Sequence, residues 1–189
     1  MKKLALFFAM ALAGCNASSV VPEKAQVETR QDMEQYCLQN PCRRNVTVNL
    51  RTNGKPVNER LEIYKPIVQG LQLSILPGEE IHIEMEVKND KVVSLKSVDA
   101  IEKPDITMTF KFMQQEDDIG MNLIASNPFG KPVKYHLDMI DFRGRAHQTS
   151  SCPAIRKGAA YETWPHPIPE LVISDIHFIQ DDDSLLCVY

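Results

Sequence analysis

The chain has 189 residues, of which 43% are hydrophobic and 24% are charged, and its formal net charge at neutral pH is −4. This length suits one ordinary domain with a tail. The acidic balance argues against nucleic acid as a partner, because binding nucleic acid requires a basic face.

The first segment predicts export rather than a part of the fold. Lys2 and Lys3 precede an unbroken apolar run from Leu4 to Ala13. The run is too short to span a membrane, because a helix needs about 20 apolar residues for that. A basic start before a short apolar core is typical of a secretory signal peptide. Its removal takes away both lysines and moves the net charge from −4 to −6.

The apolar run ends in Leu12-Ala13-Gly14-Cys15, which resembles the lipobox of bacterial lipoproteins. The resemblance concerns this export segment alone and implies cleavage before Cys15, a diacylglyceryl group on its sulfur and a further acyl chain on its new amino group. Two or more acyl chains anchor a protein stably. The residue after the cysteine is Asn16 rather than an aspartate, and by analogy with other lipoproteins this points to the outer membrane. The alternative is an ordinary secretory signal cut after Ala17.

The other four cysteines predict two structural disulfides, Cys37–Cys42 and Cys152–Cys187. Asn40-Pro41 supplies a turn between the first two cysteines. The alternatives are a metal site or a redox pair. The spacing between Cys37 and Cys42 is longer than in thioredoxin-like motifs, and neither residue has a nearby histidine.

The chain divides into three predicted parts: a signal peptide (1–14), a lipidated tether with a small disulfide loop (15–44) and a β-sandwich domain (45–189). A short helix is expected over Arg30 to Leu38. From Val46 onward apolar residues recur at every second position, which predicts strands. The predicted strands are VTVNL, IVQGLQLSIL, IHIEMEVK, KVVSLKSV, ITMTFKF, GMNLIAS, PVKYHLDMIDF, ELVISDIHFI and SLLCVY.

Turn residues separate these strands. Pro77-Gly78 favours a type II turn, and Asn89-Asp90 favours a two-residue hairpin. The segment from Arg143 to Pro169 shows no sustained period and is rich in proline, so a long irregular connection is expected there. Many short strands with no convincing long helix predict an antiparallel, immunoglobulin-like β-sandwich, with a small β-barrel as the alternative.

No catalytic motif is present: the chain lacks a nucleophile elbow, a zinc-protease helix motif, a phosphate-binding glycine loop and a dinucleotide fingerprint. Ser150, Ser151 and His147 lie near one another in sequence, but serine-rich loops beside a disulfide are commonplace. We therefore assign no catalytic residue and no cofactor.

Two histidines raise the question of copper or zinc, because each precedes a methionine by three residues: His82 with Met85, and His136 with Met139. Residues three apart in a strand point to opposite faces, so a core methionine and a surface histidine are favoured over a metal site. A cross-strand pair of His82 and His136 is the remaining way to bind a metal. The run Asp181 to Asp183 lacks the spacing of a calcium loop and is expected to cap a hairpin.

Four residues of the irregular segment form a candidate binding loop: Arg143, Arg145, Trp164 and His166. The two arginines suit an anion. Pro165, Pro167 and Pro169 favour a stiff, extended ledge that would present Trp164 and His166 to a partner. The alternative is an ordered crossover in which Trp164 covers the open end of the core, since large aromatic side chains are usually buried.

Together these features predict a non-enzymatic lipoprotein in the cell envelope, facing the periplasm from the outer membrane. Its β-sandwich would serve protein–protein contact or envelope assembly, with an envelope protein as partner and the membrane bound through the acyl chains. The alternative is a periplasmic module that binds a small ligand, glycan or metal.

Overall fold

Alternating apolar and polar residues form strands through most of the structure, a computed structural model that describes residues 30–180 and 185–187. Cys15 with its signal segment and the acidic run Asp181 to Asp183 lie outside the described residues. The secondary-structure elements are α1 (Arg30–Cys37), β1 (Arg43–Leu50), β2 (Val57–Tyr64), β3 (Val68–Gln69), β4 (Gln72–Ile75), β5 (Glu80–Lys88), β6 (Lys91–Val98), β7 (Thr107–Gln114), β8 (Met121–Ser126), β9 (Val133–Ile140), β10 (Ala146–Thr149), β11 (Ala159–Trp164) and β12 (Glu170–Phe178).

Two five-stranded antiparallel sheets form the domain. Sheet I has the strand order β10-β9-β12-β4-β3, and sheet II has the order β11-β8-β7-β5-β6. The chain crosses between the sheets at four connections, as in Greek-key sandwiches such as the immunoglobulin fold. Neither sheet closes on itself, so the predicted β-sandwich is confirmed and the small barrel is not formed.

The period-two pattern of the sequence explains how the core fills. In β5 the side chains of Ile81, Ile83 and Met85 are buried, whereas their neighbours in the strand are not. The same alternation in β7, β8, β9 and β12 directs apolar side chains between the sheets. The largest fully buried side chains are Tyr135, Phe110, Phe112, Leu73, Ile75, Ile83, Met85, Met108, Met121, Leu123, Leu137 and Ile168.

The tight turns also follow the sequence. Asn89 and Asp90 have φ values of 52° and 61°, and they join β5 to β6 with Lys88 opposite Lys91. Two successive positive φ angles define the hairpin turn that these residue types favour. Gly78 has φ of 89°, which agrees with the turn predicted at Pro77-Gly78.

The short helix and both predicted disulfides are present. Helix α1 ends at Cys37, and the Asn40 side chain donates a 2.9 Å hydrogen bond to the Tyr36 carbonyl. That turn brings Cys37 and Cys42 together with their Cα atoms 5.5 Å apart. The second disulfide joins Cys152 to Cys187 and ties the C-terminal segment to the connection between β10 and β11.

A separate hairpin of β1 and β2 closes one end of the sandwich. Val48 and Leu50 point inward from β1 and belong to the buried core. At one end of the hairpin Arg43 binds sheet I through Ser74, and at the other Arg51 binds main-chain carbonyls of the loop between β7 and β8. Strand β1 begins at Arg43, two residues before residue 45, where the β-sandwich domain is predicted to begin.

Three predictions about strands are wrong. The run from Ile67 to Leu76 is not one strand, because Gly70 adopts φ of 65° and turns β3 back on β4. The segment from Arg143 to Pro169 is not wholly irregular, since it contains β10 and β11. Residues 185–187 carry no strand, and the rest of the predicted final strand lies outside the described residues.

Candidate functional site

Arg143 and Arg145 lie in a tight turn organised by Asp141. The Asp141 carboxylate accepts hydrogen bonds from the main-chain N–H groups of both arginines, at 2.8 and 3.0 Å, and from the Arg145 guanidinium at 2.8 Å. His147 lies 3.1 Å from the same carboxylate. These hydrogen bonds hold the pKa of Asp141 well below its usual range, and the bond from the Arg145 main-chain N–H has the largest effect. The charge of Arg145 is therefore already paired within the turn.

Trp164 is 4% exposed and belongs to β11, so it is not part of an exposed ledge. Its indole N–H donates to the Thr149 hydroxyl at 2.6 Å, and its ring meets Phe112 edge-on with the centroids 6.4 Å apart. This agrees with the alternative in which the tryptophan fills the core. His166 is exposed on the connection after β11, so the four residues of the candidate binding loop do not form one surface.

The cleft beside the β1–β2 hairpin is the site that brings several of these segments together. It has a volume of about 250 Å³ and opens between the hairpin, the Asp141 turn and the start of β12. Its walls are mostly apolar, and Phe142 stands at 55% exposure beside it. We call this the hairpin cleft. Its lining residues are Val48, Leu50, Val57, Glu59, Leu61, Tyr64, Leu76, Ile140, Asp141, Phe142, Gly144, Pro169 and Glu170.

A buried polar network holds the hairpin against the floor of this cleft. The Arg43 guanidinium pairs with Glu79 at 2.6 Å and donates to the Ser74 hydroxyl at 2.6 Å. Arg43 also lies over the Tyr64 ring, 5.0 Å from its centroid. Because the Arg43 side chain is only 8% exposed, these contacts supply the partners that a buried guanidinium needs.

Glu170 is the acidic centre of the network and is almost fully buried. Its carboxylate accepts hydrogen bonds from Tyr64 at 2.7 Å and from Ser74 at 2.5 Å, and it pairs with Lys65 at 2.8 Å. Burial raises the pKa of Tyr64, and the negative charge of Glu170 is the next largest cause. The phenol therefore stays protonated and donates its hydrogen bond. Chemically the arrangement fixes the hairpin in place. Ser74 is itself buried, so its hydroxyl is not open to a substrate.

A second buried acid, Glu162 of β11, lies beside the Cys152–Cys187 disulfide. Glu162 points inward from β11 and accepts a hydrogen bond from the Cys152 main-chain N–H. Burial raises the pKa of Glu162, and the Cys152 and Ser150 hydrogen bonds oppose that rise. Burial and the Glu162 charge also raise the pKa of Tyr135. The Tyr135 hydroxyl is buried without a hydrogen-bond partner.

The other candidate residues do not assemble a reactive site. Ser151 is buried and donates to the Tyr135 carbonyl at 2.7 Å, whereas His147 faces Asp141. His82 lies on β5 of sheet II and His136 on β9 of sheet I, so the cross-strand histidine pair is wrong. The methionine expectation fits Met85, which is buried while His82 is partly exposed.

Residues 30–180 and 185–187 contain neither a metal-binding cluster nor a membrane-spanning helix. No group of three or more histidine, cysteine or acidic residues is placed to hold a metal ion within that part of the chain. The same residues include no helix with the length and apolar character needed to cross a bilayer.

A second cleft, of about 350 Å³, lies at the end of the sandwich opposite the hairpin. Ile155 and Leu185 stand exposed at this cleft between the cationic side chains of Lys131 and Arg156. Lys131 is paired with Asp90 at 2.9 Å. The chain between Gln180 and Leu185 lies outside the described residues, so this cleft is described only in part.

Sequence reasoning missed the polar network and the hairpin cleft. Glu170 carried one signal, since it opens an apolar run and is followed directly by Leu171, Val172 and Ile173. A carboxylate at the start of a buried strand needs partners. The cation that pairs with it could not be identified from the sequence, because Lys65 lies more than a hundred residues earlier in the chain.

Comparison with known proteins gave no match: no family model, no curated protein and no solved structure is similar to this chain.

Proposed function

We propose that this protein is a non-enzymatic lipoprotein of the cell envelope, whose disulfide-braced β-sandwich makes contacts with another envelope protein. The carrying observation is the division of the five cysteines. Four of them form the two disulfides of the described structure, and the fifth, Cys15, follows the apolar run of the export segment after one residue, Gly14. Disulfides favour an oxidising compartment outside the cytosol.

This division of the cysteines also supports the proposed location. Acylation of Cys15 would hold the domain at a membrane surface through its lipid chains, because two or more chains give a stable anchor. Asn16 favours sorting to the outer membrane, with the domain facing the periplasm. The mature net charge of −6 offers no attraction to anionic lipids, which leaves the acyl chains as the membrane contact.

Protein contact is supported by the exposed apolar side chains. Tyr161 is 71% exposed on strand β11, and Phe142 is 55% exposed in the turn that the Asp141 hydrogen bonds fix. Aromatic residues are enriched in protein interfaces because they contribute a large contact area.

The first experiment tests the anchor. Cys15→Ser should move the protein from the membrane fraction to the soluble periplasmic fraction, and mass spectrometry of the unsubstituted protein should find an acylated N-terminal Cys15. Asn16→Asp is the matched control, since it keeps the cysteine and should change only the membrane in which the protein is found. A Cys15→Ser protein that stays in the membrane fraction would contradict the anchor.

The hairpin cleft favours a second candidate, a periplasmic module that binds a small apolar ligand. Its volume of about 250 Å³ and its apolar walls suit one small ligand. A thermal-shift screen of the purified soluble protein against small apolar molecules, with sugars and metal ions alongside, distinguishes the two candidates. Stabilisation by a small molecule that is lost in Leu61→Glu, together with no protein captured by cross-linking in intact envelopes, would favour the second candidate over the first.

A further inference from the structure

The two large sheets have four edge strands, and three of them are poor sites for another strand. β3 has two residues and β10 has four. β6 has eight, but it carries Lys91 and Lys96, and its pairing with β5 is interrupted by an irregularity at Glu86/Val87. Short edges, lysines and bulges are the usual means by which proteins prevent unwanted strand pairing.

β11 has none of these protections. Its six residues, Ala159–Trp164, include no proline, no lysine and no arginine, and they pair with β8 in an unbroken register from Ala159↔Ser126 to Trp164↔Met121. The single charged residue, Glu162, points into the core. β11 is therefore a regular edge whose outward-facing side chains carry no charge.

The hydrogen-bond pattern shows which main-chain groups face outward. The Asn127 N–H donates to the Gly158 carbonyl at 2.7 Å, just before β11 begins. Hydrogen-bonded and non-bonded pairs alternate in antiparallel sheets, so Ala160, Glu162 and Trp164 bond to β8. The N–H and C=O groups of Ala159, Tyr161 and Thr163 then point away from the sheet. These outward groups have no main-chain partner in residues 30–180 and 185–187.

The edge is also held rigidly. The inward side chains of β11 are fixed by Trp164 bonding to Thr149 and by Glu162 bonding to the Cys152 N–H. On the outer face Tyr161 is 71% exposed, next to Thr163. A strand that is ordered before binding loses little conformational freedom when a partner strand is added.

The charges beside β11 indicate the chemistry of the partner. Arg156 and Lys157 precede the strand and are both exposed. Lys157 makes a loose pair with Asp105 at 3.5 Å, and Arg156 makes no ion pair with any described residue. A symmetric antiparallel pair of two copies would place Tyr161 opposite itself, and Arg156 would then face His166 of the other copy. In this register a second copy offers Arg156 no carboxylate.

We propose that the outer edge of β11 binds an extended segment of a partner protein as an added strand, with an acidic side chain of that segment beside Arg156. This inference rests on the proposed function and names the surface that such a protein contact would use. Main-chain hydrogen bonds would supply affinity, and the side chains on either side of Tyr161 would supply specificity.

The test begins in intact cells with the full-length protein, which carries a photo-reactive residue at position 163. Mass spectrometry identifies the cross-linked peptide, and a synthetic peptide of that sequence is titrated against the purified protein. In the complex with the unsubstituted protein, amide hydrogen exchange should slow at Ala159, Tyr161 and Thr163. This measurement does not depend on any variant's folding.

Variants then separate main-chain binding from side-chain contact. Tyr161→Pro and Tyr161→Ala remove the same side chain, but only proline removes the outward N–H, and an edge strand tolerates proline at such a position. We expect Tyr161→Pro to bind the peptide at least about tenfold more weakly than Tyr161→Ala. Arg156→Gln should weaken binding several-fold, whereas Arg44→Gln, an equal charge change at an exposed site in β1, should not.

Four results would overturn the proposal: cross-links only to a second copy of the chain, no cross-link at position 163, no slowing of exchange at the three amides, or equal binding by the proline and alanine variants. A captured envelope protein that binds Tyr161→Pro as tightly as Tyr161→Ala would overturn the β11 site while still supporting an envelope partner. Loss of membrane attachment or of any partner would instead be the failure of the proposed function.

Discussion

The Tyr64 hydroxyl donates a 2.7 Å hydrogen bond to the Glu170 carboxylate across 106 residues of sequence. This contact joins the β1–β2 hairpin to the first residue of β12, and the Lys65 ammonium balances the charge of the same carboxylate. The hairpin is therefore attached to the sandwich by a buried charged network as well as by the apolar side chains of Val48 and Leu50.

Replacing Tyr64 by Phe should lower the free energy of unfolding by about 1–2 kcal/mol, because it removes one hydrogen bond to a buried carboxylate. Urea unfolding followed by circular dichroism measures the change. Tyr161→Phe is the matched control, since it removes a hydroxyl from a side chain that is 71% exposed, and it should leave the stability unchanged. Equal stability of the two variants would contradict a structural role for the Tyr64–Glu170 bond.

The two disulfides should differ in their effect on stability. In the chain-entropy model the Cys152–Cys187 bond, with a sequence separation of 35, contributes about 4 kcal/mol, and the Cys37–Cys42 bond, with a separation of 5, contributes about 2 kcal/mol. The double variants Cys152→Ser/Cys187→Ser and Cys37→Ser/Cys42→Ser should therefore unfold at clearly different urea concentrations. Peptide mapping without reduction verifies the remaining bond in each. A larger loss from the shorter loop would contradict this order.

Trp164 should report on the core rather than on a surface. Its burial predicts a blue-shifted fluorescence maximum and little quenching by iodide in the native protein. Trp164→Ala should lower the free energy of unfolding by about 3–5 kcal/mol because it leaves a large cavity beside Phe112. A red emission maximum with ready quenching would contradict the packing described here.

The stability of the protein should depend on pH through Glu162. Burial raises the pKa of Glu162 above its usual 4.5 in the folded state, so the folded protein keeps this proton to a higher pH than the unfolded chain does. The free energy of unfolding should fall as the pH rises through the interval that begins near 4.5 and ends at the raised pKa.

Glu162→Gln should remove this part of the pH dependence, because an amide does not titrate there. Glu102→Gln, a change at an exposed acid, is the matched control and should keep it. Urea unfolding of the three proteins between about pH 4 and about pH 8 makes the comparison. If Glu162→Gln shows the same fall as the unsubstituted protein, Glu162 is not its source.

Much of the sandwich could be predicted because local rules and packing agree. Alternation in β5, β7 and β9 identifies strands with one buried face, and Asn89-Asp90 identifies the turn between two of them. The disulfide pairing was also predictable, since the turn at Asn40-Pro41 joins two nearby cysteines and leaves one partner for Cys152.

The sequence-based predictions were wrong or incomplete where tertiary contacts or single residues determine the local structure. β10 and β11 have only four and six residues, too few to show a clear alternation, and a proline-rich stretch follows β11 directly. Their pairing with β9 and β8 fixes them as strands. Gly70 divides a run of strand-forming residues because it adopts a positive φ, and nothing beside it in the sequence requires that turn. The hairpin cleft and the charged network depend on contacts between distant segments, which no local pattern records.

The closing hairpin has a consequence for biogenesis. β1 and β2 are synthesised before the other strands, but Tyr64 of β2 bonds to Glu170, which is synthesised 106 residues later. If the chain crosses a translocation pore with its N-terminus first, β1 and β2 would emerge before β12, the strand that they pack against. Completion of the native state would wait for the last third of the chain, so on the proposed export route the precursor would stay incompletely folded until that part had emerged.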